Sequence, residues 1–177
     1  MRWVVFLRAA NVGKHNRFQP SIVAQGLAKF GVINVGAVGT FVVREEVSET
    51  TLRAAILRKL PFKCEVMICP AKEMLDLARE NPFEDETGKD IEAYVTVMAK
   101  RPASLPKLPI YAPSEEKWEV KAVRIVGTAV LSLRRRVKDG LLYPNQIVEK
   151  KYGVATTTRN WNTIQKVAKI LEPGRGD

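Results

Sequence analysis

The chain has 177 residues, 46% of them hydrophobic, and its 29 basic against 19 acidic side chains give a formal net charge of +10. That is enough apolar content for one large or two small packed cores, and the longest apolar runs, under eight residues, fall far short of the roughly 20 needed to cross a bilayer. The apolar run after Met1-Arg2-Trp3 is brief and reaches Arg8 without a small-residue cleavage site, so we expect a cytoplasmic protein with no membrane partner.

In chain order, Trp3 to Leu7 predicts a strand, followed by a polar loop, Leu7 to Phe18, that gathers Arg8, Asn11, Lys14, His15, Asn16 and Arg17 around Gly13. Pro20-Ser21 opens a predicted helix with Ile22, Val23, Leu27 and Phe30 at helical spacing and Gly31 as its stop. Val32 to Val38 and Phe41 to Val43 predict two short strands. Ser48 caps a second helix that carries Leu52, Ala55, Ile56 and Leu60 up to Pro61. Phe62 to Cys69 predicts a fourth strand and Ala71 to Glu80 a third helix.

Strand, helix, strand, strand, helix, strand is the ferredoxin-like split unit, with two helices on one face of a four-stranded antiparallel sheet. The fold class expected is α+β. Residues 1–80 form a ferredoxin-like domain, 81–92 a linker, 93–172 a second α+β domain and 173–177 a flexible tail.

The second domain opens with a strand at Ala93 to Ala99, rich in β-branched residues. Four prolines between Pro102 and Pro113 punctuate a segment predicted to hold one helical turn and a short strand at Ile110-Tyr111. Trp118 to Val126 and Thr128 to Val137 predict paired strands about Gly127, and Asp139-Gly140 a turn. Asn145 to Tyr152 and Thr158 to Leu171 predict the last two helices. In the final helix Trp161, Ile164, Val167, Ala168 and Leu171 share one stripe, which gives the tryptophan a core role.

Charge is unevenly spread. Residues 1 to 40 carry five bases and no acid, residues 71 to 92 eight acids against three bases, and residues 121 to 171 eleven bases against two acids. Such asymmetry attracts anions, phosphates and nucleic acid included, although solvation of the surface accounts for it equally well. Arg134-Arg135-Arg136 fits a nucleic-acid contact or a guard on an edge strand.

Two thiols five residues apart, Cys64 and Cys69, point to opposite faces of a strand and should stay free. With one histidine in the chain they do not complete a zinc site. Neither the phosphate loop of nucleotide hydrolases nor the dinucleotide glycine pattern is met, so no metal or cofactor is expected.

Candidate chemistry therefore rests on two stretches. In the amino-terminal loop, Arg8, Asn11 and Lys14 are candidate ligand-binding residues, and His15 or Lys14 would be the acid-base group of an enzyme acting on an anionic substrate. Around Thr158, predicted to cap a helix, Arg159, Asn160 and Asn162 lie off the apolar stripe, where donors beside free backbone amides suit an anion. The two stretches are expected to face one another as a basic inter-domain site. Three readings follow: a binding protein for a small anionic or phosphorylated ligand, or for nucleic acid in a non-specific, salt-dependent way; an enzyme; or a structural protein with no ligand. No oligomeric state is read from the sequence.

The pairing of a strand ending Leu7-Arg8-Ala9-Ala10-Asn11-Val12-Gly13 with Asn81-Pro82-Phe83 and a closing Thr158-Arg159-Asn160-Trp161-Asn162-Thr163 resembles the bacterial domain of unknown function 1697 (DUF1697) family, over essentially the whole chain. The resemblance implies a ferredoxin-like first domain joined to a second α+β domain, and no established function. Two departures stand out. Where the family pattern has Gln-Ser-Gly-Asn this chain reads Ala37-Val38-Gly39-Thr40, and where it commonly has Ser-Lys it reads Leu141-Leu142.

Overall fold

The computed structural model describes residues 1–11, 16–86 and 88–172. The chain divides into two compact units, Met1–Glu80 joined by the residues from Thr163 on, and Asn81–Asn162.

The first unit follows the order β1 (Trp3–Leu7), α1 (Pro20–Gln25), β2 (Val32–Asn34), β3 (Thr40–Val43), α2 (Glu49–Lys59), β4 (Val66–Pro70) and α3 (Ala71–Glu80). Its sheet runs β2-β3-β1-β4 with every pairing antiparallel, the ferredoxin-like plan. Alternation along β1 explains why this strand is central. Trp3, Val5 and Leu7 join Val23, Ala24 and Leu27 from the α1 region and Leu52, Ala55 and Ile56 of α2 in one core, while Val4 and Phe6, on the opposite face, are also fully buried. Ser48 caps α2 as expected, its Oγ accepting from Thr51 N–H at 3.2 Å.

Three first-unit elements are shorter than the letters suggest. The first helix stops at Gln25 and resumes only as a 3-10 turn, Ala28–Phe30, before Gly31 takes a left-handed conformation. The strand expected through Val38 ends at Asn34, because the chain bends to bring Gly39 O within 2.8 Å of Leu7 N–H. A Cβ on Gly39 would sit 2.8 Å from the Leu7 side chain and its φ is +72°, so glycine is required there. The strand expected from Phe62 starts at Val66, and Phe62 and Cys64 pack against the core from the preceding loop.

The second unit contains β5 (Ile91–Met98), β6 (Ile110–Ala112), β7 (Val120–Val126), β8 (Ala129–Arg135), α4 (Pro144–Tyr152) and β9 (Thr156–Asn160), from which the chain enters α5 (Trp161–Leu171). The antiparallel sheet order is β6-β7-β8-β5-β9. Val148 and Tyr152 of α4 pack with Met98, Ile110, Ala122 and Val130. Residues 91 and 92 belong to a strand rather than a linker, and the described residues of the proline-rich segment hold no helical turn. Strand β8 lies between β7 and β5, so its arginines guard no edge.

The final helix is the largest difference. Thr158 does not cap it: Thr156 to Asn160 pair with Met98 to Tyr94 as a strand, and the Thr158 and Thr96 hydroxyls meet at 2.8 Å across that pairing. Three consecutive β-branched threonines favour the extended state, and tertiary pairing outweighs the capping pattern. The helix begins at Trp161, with the stripe Trp161, Ile164, Val167, Ala168 and Leu171 buried as the spacing predicts.

Candidate functional site

In the second unit, the junction between β9 and α5 borders a hollow of about 230 Å3 lined by Ile91, Glu92, Ala93, Asn160, Trp161 and Asn162. Register explains the assembly. Tyr94 of β5 sits opposite Asn160 of β9, while Glu92 sits opposite Arg134 of β8. Asn160 and Asn162 are exposed on either side of the buried Trp161, whose ring meets Phe83 edge-on at 5.2 Å. Because the first N–H groups of a helix have no partner within it, such a start suits a hydrogen-bond acceptor.

Glu92 brings a carboxylate to this hollow, and its charge is already engaged. It pairs with Arg136, lies 3.7 Å from Arg134 Nη1, and accepts from the Tyr94 hydroxyl at 3.0 Å. The Arg136 hydrogen bond, aided by Tyr94 and both arginine charges against the effect of burial, holds its carboxyl below the usual carboxylate range. Burial first, and then the Glu92 hydrogen bond, push the Tyr94 hydroxyl up to about 12. Arg134 also donates from Nε to Leu142 O at 2.9 Å and stacks on Tyr143, whereas Arg135 turns to the other face and stacks on Trp118. Glu92 and Tyr94 escaped the sequence reading. The available signal was their i, i+2 spacing on one face of a strand, matched by Arg134 and Arg136.

Arg159 is buried, only 6% exposed, and donates from Nη1 to Thr157 Oγ1 at 2.8 Å and to Thr158 O at 2.9 Å. Burial lowers its guanidinium to about 10, which leaves it charged at neutral pH. Its position on β9 corrects the expectation that it, with Asn160, sits within a helix start: only Asn162 lies inside α5.

In the first unit, Arg8 is half-buried and its N–H donates to Glu65 O at 3.0 Å. Asn11 holds its loop together. With φ at 53° it donates from Nδ2 to Phe18 O at 3.1 Å and to Ala37 O at 2.6 Å, while its Oδ1 accepts from Phe18 N–H at 2.9 Å. Beside it, Arg17, Phe18, Gln19 and Ala37 complete the lining of an open hollow of about 570 Å3. Lys14 and His15 lie outside the described residues, as does the tail from Pro173. Neither Cys64 nor Cys69 is in a disulfide, and burial together with the neighbouring Glu65 charge raises the Cys64 thiol, which makes it a poorer nucleophile. Among the described residues no cluster of His, Cys, Asp or Glu could hold a metal ion, and no helix is long and apolar enough to cross a membrane.

Comparison with solved structures finds similarity to a conserved bacterial protein, SP0830 from Streptococcus pneumoniae, at 14% identity and a TM-score of 0.57, covering 97% of this chain and 98% of that one. At that identity the likeness concerns the fold alone. No curated protein matches. The family model described as protein of unknown function (DUF1697) matches residues 1–125, and with most of its length inside that match the chain belongs to the DUF1697 family.

Proposed function

We propose that this protein binds a small anionic or phosphorylated ligand, with Asn160, Asn162 and the start of α5 as contacts in the second unit. The observation that carries the reading is the hollow at that helix start, where two exposed side-chain amides flank Trp161, the first residue of α5, and the one lining carboxylate, Glu92, is held by Arg134 and Arg136. A neutralised acid does not repel an incoming anion as a free one would. Arg159 adds a buried cation on the adjoining strand. In the first unit, Arg8 is the described residue of the amino-terminal stretch that the proposal keeps, since the Asn11 side-chain amide already donates to Phe18 O and Ala37 O.

Calorimetric titration with inorganic phosphate tests it. Replacing both Asn160 and Asn162 with Ala should weaken binding about a hundredfold or more, the worth of two hydrogen bonds to a charged group, in protein that remains folded. Unchanged affinity in that variant would contradict the assignment.

A second reading rests on the net charge of +10 and on basic chain ends. It makes nucleic acid the partner, through phosphate neutralisation without sequence preference. A fluorescent oligonucleotide titrated at about 50 and about 200 mM salt should then lose affinity steeply. Absence of binding at the lower salt removes this reading.

A further inference from the structure

A second hollow, of about 350 Å3, opens elsewhere in the second unit and has a different character. Its lining is Tyr111, Ala112 and Pro113 at the β6 edge, Leu142 from the segment before α4, and Ile147, Lys150 and Lys151 of α4 itself. Five of these seven are apolar or aromatic, two are lysines, and none is acidic. We propose that this hollow is a binding site for a small soluble amphiphilic anion, with an alkyl or aryl body seated between Tyr111, Leu142 and Ile147 and its carboxylate or phosphate held by Lys150 and Lys151.

Three observations bear on the class of ligand. The volume lies in the range of about 300–1,000 Å3 typical of small-molecule sites, and the lining has their usual character of apolar walls with a few polar groups. Helix spacing places the charges: Lys150 and Lys151 follow Ile147 by three and four residues, so one face of α4 presents the apolar wall and both cations together. The neighbouring acids are turned to other work. Glu149 Oε1 accepts from Thr156 N–H at 2.9 Å, and Glu119 Oε2 accepts from Leu142 N–H at 3.2 Å. A third cation, Lys121 on β7, lies over the Tyr111 ring at 5.9 Å and extends the positive rim.

Lysines in the last turn of a helix also complement its dipole. That role alone would leave ligand binding untouched when they are removed, which makes the two explanations separable. The test follows the amide resonances of isotope-labelled protein during titration with octanoate, and separately with acetate and with 1-octanol. Octanoate should shift the signals of Tyr111, Ile147, Lys150 and Lys151 and saturate. Acetate, lacking the body, and 1-octanol, lacking the charge, should each bind at least about tenfold more weakly. The Lys150→Ala, Lys151→Ala variant should bind octanoate about as weakly as the wild type binds 1-octanol. Leu142→Ser should weaken octanoate with the lysines intact, and it decides the matter if the double variant does not fold.

Octanoate shifts confined to other residues, no saturation, or equal affinity in the folded lysine variant would overturn the proposal. So would co-sedimentation with phosphatidylglycerol vesicles in the absence of octanoate binding, since that outcome assigns the surface to a lipid bilayer. Because the signals of Asn160 and Asn162 are read in the same spectra, failure here and failure of the site at the α5 start are told apart.

Discussion

Asn11 shows how one residue can serve the fold where its type suggests a ligand. Its amide makes three hydrogen bonds to the backbone of Phe18 and Ala37, tying both ends of the amino-terminal loop to the turn before β3. Asn11→Ala should cost about 1–3 kcal/mol in thermal denaturation, because backbone groups lose their partner; a melting temperature equal to wild type would contradict that role. Its left-handed φ was invisible in the letters, although asparagine is one of the few residues that tolerate it. Ser132 gives the opposite sign. Its hydroxyl is fully buried on β8 with no hydrogen-bond partner among the described residues. Ser132→Ala should therefore leave stability unchanged or raise it by up to about 1 kcal/mol, and a clear loss would contradict the assignment of that hydroxyl as unpaired.

At the scale of elements, β5 and the end of β8 bring Glu92 and Tyr94 together with Arg134 and Arg136, and the ionisation of Glu92 and Tyr94 should mark the pH dependence of stability. The Glu92 carboxyl is held below its ordinary 4.5, so its contribution is present above that value and lost as pH falls through the lower folded one. Tyr94 is raised from 10.0 to about 12, so its contribution is full below 10.0 and lost as pH rises toward about 12. Melting temperature followed across both windows should show a reduced acid-side loss in Glu92→Gln and a reduced alkaline-side loss in Tyr94→Phe. Profiles parallel to wild type would remove the network from the account of stability. Element types were largely legible: α3 was read with its observed bounds, and the β7–β8 hairpin was found through Gly127. What the letters hid was cross-strand register. Thr156 to Asn160 look like a helix entry until β5 is seen to pair with them, and only that pairing sets Asn160 opposite Tyr94.

At the scale of the whole chain, the ferredoxin-like plan of the first unit was readable because each element carried its own local signal, from the Ser48 cap to the unbroken apolar run of β1. Division into units was harder. Thr163 onward groups with the first unit although it follows the second in sequence, and such a return depends on long-range contacts that no local pattern announces. The donor-rich stretches were legible as residue types, yet their division of labour was not: Asn11 is consumed by its loop, Arg159 is buried on a strand, and Asn160 and Asn162 remain exposed around a hollow. The most direct test of anion binding at that hollow is a titration of isotope-labelled protein with inorganic phosphate, read at the backbone amides of Asn160, Trp161 and Asn162 and at the Trp161 indole. The expected result is a saturating shift concentrated on those signals; shifts absent there at phosphate concentrations that move other residues would contradict it.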